Sequence, residues 1–167
     1  FDESYIKDYR TFFKLSPPLR SISDKEFMLK NIKDNTIDTI SSFHLPQDEE
    51  SKRLPFEKAA FGAIGLQTLL PACLKLVHDK ILDLPTLFKK ISLNPAKLLN
   101  LKSGILKEDY PADLILFDPD KPFKVDRFKL LSKAKNTPFD GYKLYGEVLK
   151  TFVKGNEIYK SRNTIDT

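Results

Sequence analysis

Thr36-Ile37-Asp38-Thr39-Ile40-Ser41-Ser42-Phe43-His44-Leu45-Pro46-Gln47 runs from a short β-branched segment into a proline-bearing loop. The β-branched residues Thr36, Ile37, Thr39 and Ile40 predict a strand over 36–41. Upstream, Ser23 and Glu26 have capping-box spacing, and Phe27, Met28 and Ile32 fall roughly on one face. That pattern predicts a helix over 24–33, with Asn35 as its stop. Further upstream, Pro17-Pro18 excludes a helix.

Downstream, 44–62 reads as a long loop with short turns, broken by Pro46, Pro55 and Gly62. Leu66, Leu69, Leu70, Cys73, Leu74 and Val77 then recur at three- and four-residue spacing, an amphipathic helix. A second helix is predicted over 85–91. Asn94 and Pro95 supply a cap and a first-turn proline for a third, over 96–101. After Gly104 the period changes. Residues 112–117 form an apolar strand and 118–143 read as loop. Val148 and Phe152 mark another strand, and Lys154-Gly155-Asn156 turns it into Glu157-Ile158-Tyr159 as a hairpin.

At 167 residues, 41% hydrophobic and 31% charged, the chain reads as globular and not disordered. No apolar run approaches the ~18 residues of a membrane span, and no secretory signal is visible. A single cysteine, Cys73, excludes an internal disulfide and fits a reducing, cytoplasmic compartment. The first residue is Phe1, which fits a cut or processed chain. The net charge of +5 concentrates in 121–160, with 10 basic groups against four acidic. A charge excess without a binding motif reads as a solvated lysine-rich surface, so no nucleic-acid partner is expected.

Several segments, in order, resemble type I dihydroorotases of the amidohydrolase superfamily. They are 14–20, 36–47, 52–56, 60–68, 94–97, 112–119, 136–139 and the hairpin ending at Tyr159. Any one of them is weak; the ordered set covers almost the whole chain. The resemblance implies an α/β fold: a partial TIM barrel, its C-terminal strands and helices over 1–103, then the C-terminal share of a small β-sandwich over 104–167. A complete barrel takes about 250 residues, more than this chain holds. By resemblance, 36–42 is barrel strand eight.

Intact family members use zinc to hydrolyse the dihydroorotate ring in pyrimidine synthesis. Their metal ligands come mainly from a His-x-His pair, which does not occur here; the histidines are His44 and His78. The family's catalytic aspartate falls at Phe43, and a phenyl ring neither binds zinc nor accepts a proton. Phe43 either fills the space of a lost site or has simply drifted. The positions that contact substrate in the family fall at Ser16, Phe43, Gln47, Phe61 and Gly62. Ser16 replaces an asparagine and Gln47 a histidine, while Phe61-Gly62 is kept. The expectation is therefore vestigial substrate positions, no catalytic residue, no metal ligand and no cofactor in this chain.

For the remaining candidates, His44 reads as a hydrogen-bonded loop histidine, His78 as a structural residue at a helix end, and Cys73 as core packing. Two functions stay open at this point. One is a non-catalytic homologue that binds other subunits, as inactive dihydroorotase paralogues hold aspartate carbamoyltransferase. The other is one piece of a split zinc-dependent dihydroorotase. Both imply self-association or a complementing barrel fragment, because open sheet edges invite pairing.

Overall fold

The computed structural model describes residues 1–161. The chain divides into two units, each assembled from separated segments. One comprises 1–37, 41–69 and 124–143; the other comprises 38–40, 70–123 and the chain from 144 onward.

In the first unit, helix α1 spans Ile22–Lys33. It starts two residues earlier than the sequence pattern suggests, because the capping box is built by Ser21 and Asp24, not by Ser23 and Glu26. The Asp24 amide donates to Ser21 Oγ at 3.1 Å, and the Ser21 amide donates back to Asp24 Oδ2 at 3.2 Å. Asn35 takes φ +65° just beyond the helix, so its role as the stop holds. The segment after it is not a strand. A strand exists only when its amides and carbonyls meet a neighbouring strand, and among the described residues none pairs with 36–42. The Ile37 amide instead returns to the carbonyl of Asn31.

Inside the loop that follows, Glu49–Arg53 forms a one-turn helix, α2, capped by Asp48. The core of this unit contains Phe13, Ala59, Ile64 and Val125. Phe1, Tyr5, Phe13, Phe139 and Tyr142 pack edge-on or tilted against one another there, with ring centroids 4.8–5.5 Å apart for the contacts of Phe1 and the Tyr5–Phe13 pair.

In the second unit, α3 spans Leu69–His78 and buries Pro71, Cys73 and Leu74. Pro71 sits in the first turn, where its missing N–H costs no bond. Burial pushes the Cys73 thiol up to about 11, so it stays a protonated core group. His78 ends the helix, with Nε2 3.3 Å from Asp120 and its ring edge-on to Tyr145.

The two helices expected over 85–91 and 96–101 are one continuous rod. α4, Leu84–Phe88, passes through a π-helical turn at Lys89–Leu93 into α5, Asn94–Leu98. The wider π turn lets the chain pass Pro95, which has no amide to donate. Asn94 is not a cap: its side chain donates to the Asp38 carbonyl at 2.8 Å. The Ile40 amide bonds the Lys90 carbonyl, so the 38–40 segment is held by this rod.

The sheet has three strands in the order β1-β2-β3: Leu114–Lys124, Lys143–Val153 and Asn156–Lys160. β2 and β3 form the expected antiparallel hairpin, with Thr151 opposite Tyr159. Lys154 and Gly155 both take positive φ, as a tight two-residue turn requires. β1 runs seven residues past the expected end at Phe117, into the region read as loop. β1 holds Pro119 and Pro122 because it lies at the sheet edge, where a missing donor breaks no ladder. Gly146 packs on α3: a Cβ there would collide with Leu74 Cδ1.

Candidate functional site

The first unit brings two loops together, 42–47 and 62–66. The Leu45 amide donates to the Ala63 carbonyl at 2.8 Å. Gly62 has φ +117°, and a side chain there would lie 2.7 Å from the Leu45 carbonyl, so glycine is required. Gly65 approaches as closely: a Cβ would sit 2.6 Å from the Ser42 carbonyl.

Asn136 ties the pair from a third segment. Its Nδ2 donates to the Gly62 carbonyl at 3.1 Å, its Oδ1 accepts from the Gln47 amide at 3.2 Å, and its own carbonyl accepts from the Ile64 amide at 3.0 Å. Gln47, Gly62 and Phe61 thus belong to one bonded constellation. Two buried lysines brace its other side. Lys14 Nζ donates to the Phe56 and Glu57 carbonyls at 2.8 and 2.7 Å, and lies over the Phe61 ring at 4.6 Å. Lys52 Nζ donates to the carbonyls of Thr11, Lys14 and Ala60 at 2.7–3.2 Å. The Lys14 carbonyl also accepts from the Gly62 amide at 3.0 Å. Ser16, half-buried and two residues beyond Lys14, begins a cis bond to Pro17.

Phe43 has φ +40° and is 58% exposed. Within this chain its ring is not packed into the core. His44 Nδ1 accepts the Gly65 amide at 3.0 Å and the Leu66 amide at 3.4 Å. Those two donors leave the imidazole hydrogen on Nε2. A histidine that binds a metal through one nitrogen donates a hydrogen from the other; here the other nitrogen accepts. Among the described residues, no three His, Cys, Asp or Glu side chains converge. The described residues therefore do not by themselves fit a zinc site.

Asn136, Lys14 and Lys52 build this site, and the sequence assigned none of them a role. Lys14, Lys52 and Asn136 lie within segments whose order resembles dihydroorotases, but side chain–backbone bonds across 38 to 89 residues leave no local pattern.

Among known proteins, the Amidohydrolase family matches residues 58–158. A dihydroorotase of Desulforapulum autotrophicum is 43% identical over 155 residues, 93% of this chain and 36% of that protein. A dihydroorotase of Ehrlichia chaffeensis is 40% identical over 159 residues, 95% of this chain and again 36% of the relative. The L-hydantoinase (dihydropyrimidinase) of Arthrobacter aurescens superposes with a TM-score of 0.91 at 29% identity, over 99% of this chain and 38% of that one. The D-hydantoinase of a Thermus species shares the fold, with a TM-score of 0.86 at 21% identity. This chain thus spans about a third of the length of the proteins it matches. The chain thus belongs to the amidohydrolase family, and within it is dihydroorotase-like.

Proposed function

We propose that this chain supplies the C-terminal share of a dihydroorotase-type cyclic amidohydrolase and does not hydrolyse the ring by itself. Opening a cyclic amide needs a metal to activate water, a base to move its proton, and groups that hold the substrate's carboxylate. The chain retains part of the third requirement: the Phe61-Gly62 backbone, held by Asn136 and Lys14, and the Gln47 amide side chain. The observation that carries the reading is Phe43. It stands where the family aspartate acts, beside a His44 whose Nδ1 is committed to two amides.

In this reading, residues 1–103 are the last part of the barrel and 104–167 the C-terminal share of the small sandwich. The partner is a complementing barrel polypeptide or a second copy. Aspartate carbamoyltransferase is the heterologous partner to try first, and the compartment is the cytoplasm. Zinc belongs to the intact enzyme, on residues outside those described.

The test is dihydroorotate hydrolysis by the purified chain at high concentration with zinc supplied. No turnover is expected. Turnover abolished by a chelator would overturn the reading, because it would require a metal site formed by these residues.

A further inference from the structure

We propose that the hollow lined by Tyr5, Lys7, Asp8, Arg10, Phe13 and Tyr142 binds a free α-amino acid with an aromatic side chain. The hollow lies within the first unit and encloses about 480 Å³, inside the size range of small-molecule sites. None of the five vestigial substrate positions lines it, so the proposal does not rest on the hydrolase reading.

Its electrostatics favour a ligand that carries both charges. Two acidic and two basic side chains line it, so neither a bare anion nor a bare cation meets a field of one sign. Asp2 is already neutralised: it is 5% exposed, pairs with Lys25 at 2.6 Å and accepts from the Ser4 amide at 3.2 Å. Arg10 is only partly engaged. Its carboxylate partner, Asp140, is 3.5 Å away and is shared with Arg127 at 3.8 Å. Lys7 and Asp8 are exposed and have no ion-pair partner among the described residues. One carboxylate and two cations thus stand open to a ligand. Asp8 suits the ammonium of an amino acid, and Lys7 with the Arg10 fork suits its carboxylate.

The apolar lining is aromatic, which sets the side-chain preference. Phe13 is buried, with its ring tilted against that of Tyr5 at 5.5 Å. Tyr5 is 39% exposed and Tyr142 half-buried, so both keep ring surface on which a ligand's ring can pack. The exposed Ile22 side chain adds an aliphatic contact. A merely solvated rim would hold a singly charged analogue as well as the zwitterion. Open charges of both signs beside tyrosine rings predict that the zwitterion with a ring is preferred.

Calorimetric titration of the full chain at low salt tests this with phenylalanine, phenylacetate, 2-phenylethylamine and glycine. Phenylacetate lacks the ammonium, 2-phenylethylamine the carboxylate, and glycine the ring. Phenylalanine is expected to bind below about 1 mM, and each of the other three roughly tenfold more weakly. Asp8→Asn and Lys7→Gln alter exposed side chains and should leave the thermal midpoint unchanged. Asp8→Asn should weaken phenylalanine about fivefold and leave phenylacetate as it was; Lys7→Gln should weaken both about fivefold. The proposal fails if phenylalanine does not bind by about 10 mM, if any of the three analogues binds as tightly, or if either variant binds phenylalanine like the parent.

Discussion

Phe43 is held at φ +40°, a backbone region that suits glycine, asparagine or aspartate and not a bulky aromatic. The family aspartate assigned to this position by resemblance would tolerate that conformation; the phenyl residue is strained by roughly 1 kcal/mol. Because the ring is largely exposed, removing it forfeits little burial. Phe43→Gly is therefore expected to stabilise the chain by about 0.5–1 kcal/mol, a rise in thermal midpoint of roughly 1–4 °C. Unfolding followed by circular dichroism reads it, and a fall of similar size would show that the ring supports the loop. Phe43→Asp should move in the same direction by less. At this scale the sequence was informative where residue type meets a local demand. Gly62 had to be glycine, Cys73 sat on an apolar helix face, and His44 read as a bonded loop residue. Asn136 was not readable, because it bonds Gly62 across 74 residues.

Elements are held here by groups that pattern reading treats as surface. Lys52 sits on the short helix α2, yet it is 4% exposed and bonds three carbonyls, two from the 11–14 segment and one from its own loop. Lys52→Met leaves those carbonyls without their donor, at about 1–3 kcal/mol for each that water does not reach. A loss of about 2–4 kcal/mol in urea unfolding is expected, with Lys52→Arg retaining part of it. Burial, followed by the charge of Lys14, holds the Lys52 ammonium down at about 8, against 10.5 for a free lysine. Between those values the unfolded chain keeps a proton that the folded chain has released. Stability from this group therefore rises as pH climbs through that window. Comparing unfolding midpoints at either end should show a rise in the parent that Lys52→Met lacks. Equal pH responses would assign the rise to other groups. Element boundaries also show what local signals miss. The α1 cap moved by two residues because Ser21 competes with Ser23. Pro95, expected to open a separate helix, follows a π turn inside one rod, and Pro119 and Pro122 lie in an edge strand where a loop was expected.

For the molecule as a whole, the apolar surface calls for association. Leu98, Leu99, Leu101 and Leu106 are 56–81% exposed within nine residues. Clustered apolar exposure of this kind marks an interface or an aggregation site. Light scattering is expected to report a mass above the 19.2 kDa of one chain. Leu98→Ser combined with Leu106→Ser should lower that mass. A monodisperse 19.2 kDa species in the parent would remove the case for a partner at these residues. Among the described residues no helix is long and apolar enough to cross a membrane. By itself the sequence determined the family, the buried face of α3 and the closing hairpin, because each is written in residue type, spacing or order along the chain. The tertiary structure alone decided that 36–42 is not a strand, that Asn136 and two buried lysines frame the Phe61-Gly62 loop, and that Arg127 lies over both the Phe12 and Phe128 rings. Those outcomes depend on which distant groups meet, and a hydrogen bond or ring contact formed across dozens of residues leaves no periodicity to read.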